Sequence, residues 1–184
     1  LGFLWDTHEP FLFCANHDDA YPPGNDVQGP AASLAGRNIG QDFSQENPWR
    51  MYHGDTVPGF PAHPHRGFET VTIVVNGFVD HSDSHGAAGR YGNGDVQWMT
   101  AGGGILHEEM PKPVDGYMEG FQLWVNLPAK LKMTTPHYQE VKATEIPEFE
   151  LQPGVRLRVI VGEVDGHAGP VKGIAADPMY LDVS

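Results

Sequence analysis

Apolar residues along this chain form short runs, and β-branched and aromatic side chains dominate those runs from residue 60 onwards. Between the runs lie glycine, proline, asparagine and aspartate, which interrupt strands and form turns. Runs of this kind are typical of β-strands, and their close spacing predicts an all-β sandwich or barrel. The predicted strands cover residues 68–75, 78–81, 95–99, 105–110, 120–127, 138–141, 155–162 and 180–183.

The pattern before residue 60 is less regular. Residues 1–15 contain several aromatic side chains and predict a first strand. Residues 16–58 are rich in Gly, Pro, Asn and Asp and predict a long irregular loop, a feature that is often functional. Farther along, the pair Asn76-Gly77 separates two predicted strands. This dipeptide readily adopts the positive φ of tight turns, so it predicts a β-hairpin.

Composition narrows the classes of function. The 184 residues include 11 Lys and Arg against 24 Asp and Glu, which gives a formal net charge of −13. A chain this acidic, without a basic cluster, is repelled by phosphate backbones and by anionic lipid surfaces. We therefore expect no direct nucleic-acid binding and no membrane docking. The single cysteine, Cys14, excludes an internal disulfide, and no signal peptide is visible, so we expect a cytoplasmic location.

Two histidines supply the first candidate metal ligands. His63 and His65 flank Pro64 just before the predicted strand at 68–75. Side chains at positions i and i+2 of a strand point to the same face, so both imidazoles can converge on one point inside a barrel. An isolated His-x-His pair is more often structural or solvent-exposed than a ligand pair, so the interpretation depends on a second motif.

His107 and Glu109 repeat this spacing, with Glu108 between them facing the other way. If the two segments lie side by side, three imidazoles and one carboxylate meet. This donor set suits iron, and it also accepts manganese, copper, nickel, cobalt or zinc. Four protein ligands on an octahedral ion leave two open positions for water, a chelating substrate or O2.

Glu69 is an alternative to Glu109 as the carboxylate ligand. It lies four residues after His65, so a continuous strand would place both side chains on the same face. A His-x-His-x-x-x-Glu pattern, followed by a glycine and a later histidine, resembles the ligand arrangement of cupins. Spacing alone does not decide between the two carboxylates.

The remaining histidines carry less information. His81 and His85 lie close to the predicted hairpin, and we expect them near the mouth of the pocket. Five others show no pattern and are expected to be solvated or structural, namely His8, His17, His53, His137 and His167.

Longer stretches of the chain resemble the signature of the pirin family. The resemblance rests on residues 63–72 (HPHRGFETVT), 94–102 (GDVQWMTAG), 104–111 (GILHEEMP) and 122–128 (QLWVNLP), and residues 136–139 are similar to the family's inter-domain stretch. These matches occur in order and are highly specific. The C-terminal tail matches more loosely, and the long loop before residue 60 departs from the family pattern.

The resemblance implies a fold and a set of ligands. Pirins contain two cupin barrels, and the N-terminal barrel binds one iron. We therefore expect a metal-binding cupin-type β-barrel (jelly roll) at 1–135, then a linker and the incomplete beginning of a second cupin domain at 136–184. The resemblance assigns the iron ligands to His63, His65, His107 and Glu109, and it places Glu69 behind the ligands or in the strand.

It also implies two classes of function. Several microbial pirins look like quercetin 2,3-dioxygenases, which open the central ring of a flavonol with O2. This reading predicts a flavonol-like small molecule and O2 as substrates, with Glu109 as the catalytic base. Animal pirins resemble transcription co-regulators that respond to the oxidation state of iron. That alternative predicts a redox-sensing protein with a protein partner and no turnover.

Overall fold

The computed structural model describes residues 2–184, and strands account for nearly all of its regular structure. Its only helices are two short 3-10 helices, Ala129–Leu131 and Ala143–Glu145, and within the described range none is long and apolar enough to cross a bilayer. The strands are β1 (Phe11–Ala20), β2 (Phe60–His65), β3 (Phe68–Asn76), β4 (Phe78–Asp83), β5 (Ala88–Gly92), β6 (Val96–Thr100), β7 (Ile105–Lys112), β8 (Tyr117–Asn126), β9 (His137–Val141), β10 (Glu148–Gln152), β11 (Val155–Val161), β12 (Glu163–Val164), β13 (His167–Ala168) and β14 (Tyr180–Val183).

Two antiparallel sheets form the barrel. One has five strands in the order β1-β8-β3-β6-β9, and the other has four in the order β2-β7-β4-β5. Side chains from both sheets meet in a common core, which includes Val74 on β3, Val79 on β4, Tyr91 on β5 and Met118 on β8. The chain passes repeatedly from one sheet to the other, for example between β3 and β4 and between β6 and β7. Two facing antiparallel sheets connected in this way are typical of a jelly roll, so the predicted cupin-type β-barrel is confirmed.

Strand β3 is buried on both of its faces. Thr72 and Val74 point into the barrel, whereas Val71 and Ile73 point to the opposite side of the sheet. Along its length β3 pairs with β8 on one side and β6 on the other. A central strand covered on both faces favours consecutive β-branched residues, which explains why the sequence predicted this strand clearly.

The predicted hairpin at Asn76-Gly77 is wrong, although both of its strands exist. Strand β3 belongs to the five-stranded sheet and β4 to the four-stranded sheet. Since β8 and β6 already occupy both edges of β3, the chain crosses the barrel and β4 pairs elsewhere. Gly77 permits this change of direction with a φ of 89°, and a Cβ at that position would lie 2.6 Å from Met118 Sδ.

The predicted loop at 16–58 begins too early. Strand β1 continues through Ala20, which still pairs with Tyr117 of β8. In the fully described segment 21–59 the backbone forms isolated bridges rather than strands. Trp49 and Met51 from this segment are nevertheless buried in the barrel core. Residues 21–59 therefore form an irregular but packed part of the barrel wall.

A second core covers the outer face of the five-stranded sheet. Val71 of β3 and Trp98 of β6 pack there with Ile160 of β11 and with Val171. Because apolar side chains occupy both faces of this sheet, the barrel and the C-terminal segment bury surface against each other.

The C-terminal segment contains a separate sheet of three strands, β10-β11-β14. The strand predicted at 180–183 is confirmed as β14. Strand β9 begins two residues after position 135, at His137, and pairs with β6 of the first sheet. The division of the chain into 1–135 and 136–184 stays a prediction.

Replacing Gly77 with alanine tests how tightly the chain packs where it crosses between the sheets. The new Cβ would meet Met118 Sδ at 2.6 Å and the Lys112 carbonyl oxygen at 3.0 Å, in addition to the strain of a positive φ. We expect the free energy of unfolding to fall by roughly 2–4 kcal/mol, the sum of backbone strain and overpacking. Equilibrium chemical denaturation measures the change.

Gly86→Ala is the matched control. Gly86 has a φ of 90°, and nothing lies within 4 Å of a Cβ placed there. This variant should lose only the backbone contribution, about 1 kcal/mol. Equal losses in the two variants would contradict the close approach at Gly77.

Candidate metal centre

Strands β2 and β7 bring the two sequence motifs together. They pair antiparallel, and the register places His63 opposite His107. His65 and His107 are buried, and His63 is half-buried. The intervening Pro64 and Leu106 are exposed on the other face. The alternation of the strands therefore directs the imidazoles towards the barrel interior, as the i, i+2 spacing predicts.

The three imidazoles form a compact cluster. One nitrogen from each of His63, His65 and His107 lies within 4.8 Å of the others, and no other such group occurs within residues 2–184. The ring centroids are 4.6–4.8 Å apart. The Nε2 atoms of His63 and His65 are 3.0 Å apart. Two donors at about 2.1 Å from one ion, at a right angle, lie about 3 Å apart, so this spacing fits a shared cation.

Hydrogen bonding sets the state of the His63 ring. Its Nδ1 lies 2.9 Å from the Pro61 carbonyl oxygen, which can only accept, so Nδ1 carries the proton and Nε2 keeps a free lone pair. Both ring nitrogens of His107 and Nδ1 of His65 are buried without a hydrogen-bond partner within residues 2–184. Buried polar atoms are rarely left unpaired, and a metal ion would satisfy His107. The residues present fit a bound cation.

Burial keeps two of these rings neutral. Burial, together with the neighbouring rings of His107 and His63, lowers the pKa of His65 to about 3. Burial likewise lowers the pKa of His107 to about 3, with contributions from His63 and His81. Neutral imidazole is the form that binds metal, so protons compete weakly for these two nitrogens near neutral pH.

Glu109 lies beside the cluster. Its Oε2 is 3.7 Å from Nε2 of His107, but the carboxylate is not part of the compact group. Gln122 Nε2 donates to both of its oxygens at 3.2 and 3.0 Å, and the Tyr91 hydroxyl donates to Oε1 at 3.2 Å. Trp124 Nε1 in turn donates to Gln122 Oε1, which fixes the orientation of that amide. The carboxylate is therefore held on the wall of the site by its neighbours.

Glu69 faces away from this cluster. The chain turns at Gly67, where φ is 79°, so the parity of β2 does not continue into β3. Glu69 shares its face of β3 with Val71, on the outer side of the sheet, and it accepts a hydrogen bond from Thr100. Glu69 therefore does not share a face with His65 as the spacing predicted, because a left-handed glycine separates the two strands.

A cavity of about 740 Å³ opens onto the histidine cluster. Its walls include His63, His65 and Glu109 together with many aromatic rings. Trp124 lies 5.3 Å from the His65 ring between centroids. The other aromatic residues of the walls are Phe3, Phe13, Phe43, Phe60 and Phe68. A volume in this range and a mostly apolar lining that is rich in aromatic rings suit a flat organic ligand.

His8, His137 and His167 are exposed, as expected, but four other histidines away from the two motifs depart from the sequence interpretation. His17 and His53 line the cavity, although no pattern singled them out. His81 is buried on β4 with its Nε2 3.0 Å from Glu140 Oε1, and neither it nor His85 lines the cavity. An alternating His-x-Asp pattern at 17–19 is a possible signal for His17, but the prediction of a loop from residue 16 concealed it.

Acid should destabilise the metal-free protein through His65 and His107. Their pKa values of about 3 in the folded state lie below the ordinary 6.5, so the unfolded chain binds more protons between those pH values. The free energy of unfolding should therefore fall as the pH drops below about 6.5, by up to about 1.4 kcal/mol per pH unit for each histidine. Urea denaturation at several pH values measures this slope.

His107→Gln should reduce that slope by up to about 1.4 kcal/mol per pH unit, the contribution of one proton. His137→Gln, which changes an exposed histidine on β9, should leave it unaltered. The same slope in His107→Gln as in the unmodified protein would contradict a buried neutral imidazole at this position.

Comparisons with known proteins identify relatives that are named as pirins or as quercetin 2,3-dioxygenases. The family model described as Pirin matches residues 6–125. A "Pirin-like protein" of Caulobacter vibrioides is 52% identical over 131 residues, which are 71% of this chain and 48% of that protein. A Pseudomonas aeruginosa protein named "Putative quercetin 2,3-dioxygenase PA3240" is 46% identical over 145 residues, which are 77% of this chain and 49% of that protein.

Solved structures agree with the fold. The crystal structure of a quercetin 2,3-dioxygenase from Acinetobacter baumannii superimposes with a TM-score of 0.66 at 36% identity, and the match covers 90% of this chain and 49% of that one. The chain thus spans about half the length of these relatives. The region matched by the family model contains β1 to β7 with the three clustered histidines and Glu109. The chain belongs to the pirin family.

Proposed function

We propose that this chain binds one iron ion through His63, His65, His107 and Glu109. The three imidazole nitrogens converge, and Glu109 is the carboxylate nearest to His107. Three neutral imidazoles and a carboxylate suit Fe(II), and manganese, cobalt, nickel, copper and zinc are compatible with the same donors. The proposal needs only a small movement of Glu109 towards the cluster.

We further propose that the protein is a dioxygenase of the quercetin 2,3-dioxygenase type. The observation that carries this proposal is the 740 Å³ aromatic cavity that opens onto the histidine cluster. A flat flavonol fits such walls, and relatives that bear the name of this activity support the choice of substrate. Iron supplies the redox chemistry that lets O2 react with an organic substrate.

The chain's own residues have separate roles in this proposal. The aromatic walls bind the flavonol rings and exclude water. Glu109 accepts the proton of the substrate hydroxyl at the metal, because it is the carboxylate on the cavity wall beside the cluster. Gln122 and Tyr91 orient that carboxylate through their hydrogen bonds.

A redox-sensing regulatory protein without turnover remains the second class that the family suggests. It requires a surface that recognises a protein partner, and it does not require an organic-ligand cavity at the metal. The open cavity beside the three histidines favours the enzyme.

A cytoplasmic location, expected from the lone Cys14, stays a prediction.

His107→Ala tests the metal site and the activity together. We expect the variant to lose most of its bound iron and all measurable O2 uptake with quercetin, because it removes a central buried ligand. Metal content by mass spectrometry and O2 consumption after anaerobic loading with Fe(II) are the measurements. His8→Ala, which removes an exposed histidine, is the control and should keep both. Full iron content in His107→Ala would contradict the ligand assignment.

Glu109→Gln tests the proton acceptor. We expect turnover per bound iron to fall at least about 100-fold, a typical contribution of a general base. Glu108→Gln is the matched control, because Glu108 lies on the other face of β7 and accepts a hydrogen bond from Ser82. Unchanged turnover per iron in Glu109→Gln would refute the catalytic role of this carboxylate.

A further inference from the structure

A chain of buried polar side chains ends at His17, on the wall of the cavity that opens onto the histidine cluster. Arg50 Nη1 donates to Asp19 Oδ1 at 2.9 Å, and the Tyr52 hydroxyl lies 2.5 Å from Asp19 Oδ2. His17 Nδ1 lies 2.9 Å from the same Tyr52 oxygen. Asp19, Arg50 and Tyr52 are all buried, and His17 is half-buried at the cavity.

The backbone holds this chain of side chains firmly. His17 and Asp19 are two residues apart on β1, so they share one face. Tyr52 has a φ of 56°, a left-handed conformation that is uncommon for a residue with a bulky side chain. Its amide and carbonyl both pair with Asp42, and this pairing maintains the unusual conformation. A strained residue held in place by its surroundings often marks a functional position.

The direction of each hydrogen bond follows from chemistry. Arginine can only donate to Asp19. Burial raises the pKa of Asp19 to about 6 against the opposing effects of Tyr52 and Arg50, so near pH 7 and above Asp19 is a carboxylate that can only accept. Tyr52 must then donate its single proton to Asp19. Its oxygen can only accept from His17, so Nδ1 of His17 carries the proton and Nε2 carries a lone pair. Burial lowers the pKa of His17 to about 4, which agrees with a neutral ring.

The free lone pair of His17 faces the cavity. Nε2 makes no hydrogen bond within residues 2–184, and it is not among the buried polar atoms that lack a partner, so a ligand can reach it. The His17 ring contacts Phe60 edge-on at 5.7 Å between centroids, and Phe60 lies 6.2 Å from the ring of His63. One aromatic side chain therefore contacts both His17 and the metal cluster.

We propose that His17 Nε2 is a specificity-determining hydrogen-bond acceptor for a substrate hydroxyl that is remote from the metal. The inference rests on the proposed function and narrows its substrate class to flat aromatic compounds with a free hydroxyl beyond the metal-binding oxygens. Tyr52 and Asp19 are positioning residues that fix the tautomer of His17. A compound without a remote donor leaves the lone pair unsatisfied and binds less tightly.

The test compares two ligands that share the same metal-binding oxygens. Quercetin and 3-hydroxyflavone both carry the 3-hydroxy-4-keto pair, but 3-hydroxyflavone lacks every other hydroxyl. Their affinities for the Fe(II)-loaded protein are measured anaerobically by absorption titration, so that no turnover occurs. We expect the unmodified protein to prefer quercetin by roughly three- to tenfold, the contribution of one neutral hydrogen bond.

Substitutions then locate the origin of that preference. His17→Phe should remove it while 3-hydroxyflavone binds as before, because the apolar ring keeps the contact with Phe60 but accepts no hydrogen bond. His17→Gln, whose carbonyl oxygen can accept, should retain part of it. Tyr52→Phe frees the His17 tautomer and should weaken the preference. His85→Phe, at an exposed position outside the cavity, is the control and should preserve it.

The outcomes separate this inference from the proposed function. A quercetin preference that survives in His17→Phe, or that is absent from the unmodified protein, would overturn the role of His17 while flavonol binding still stood. If neither flavonol bound the iron-loaded protein, the proposed function would fail and the inference with it. Circular dichroism confirms that each variant is folded, and His17→Gln and Tyr52→Phe provide the same comparison if His17→Phe is not.

Discussion

Antiparallel pairing between β2 and β7 places His63 directly across from His107, and the site depends on that register. Side chains alternate between the two faces of a strand. A shift of the pairing register by one residue would therefore turn the histidines outwards and turn Pro64 and Leu106 towards the interior. Backbone hydrogen bonds and the buried side chains of both strands thus set the geometry of the cluster before any ligand arrives. This geometry places three imidazoles close together. Burial opposes the protonation of two of them, His65 and His107.

Part of the cavity wall comes from a different region of the chain than the clustered histidines. Residues 21–59 and strand β1 supply Phe43, His53 and His17, whereas β2 and β7 supply the clustered histidines. Trp49 and Met51 anchor the irregular segment in the core. Phe43 and His53 of the same segment line the cavity. Much of the surface that would contact an organic ligand therefore lies outside β2 and β7, although Phe60 of β2 lines the same cavity.

Much of this structure can be predicted from local patterns in the sequence. The pairing of strands that are distant in the sequence cannot. Strands such as β3 and β14 are readable from consecutive β-branched and aromatic residues, and the His-x-His and His-x-Glu spacings identify neighbours on one face of a strand. The partner of a strand depends on the whole sheet, which is why Asn76-Gly77 was mistaken for a hairpin. Gly67 breaks the parity that suggested Glu69, and the contact of His17 with Tyr52 joins residues 35 positions apart.

The five-stranded sheet has apolar side chains on both faces, and the segment that follows β9 packs against its outer face. A chain shortened before β10 would leave Val71, Ile73 and Trp98 without that cover. A contiguous apolar patch on a flat sheet promotes self-association, so the shortened barrel would tend to precipitate even with its metal-binding histidines intact. The C-terminal segment thus acts as a solubility cap for the barrel, and any engineered single-barrel variant needs polar substitutions on that face.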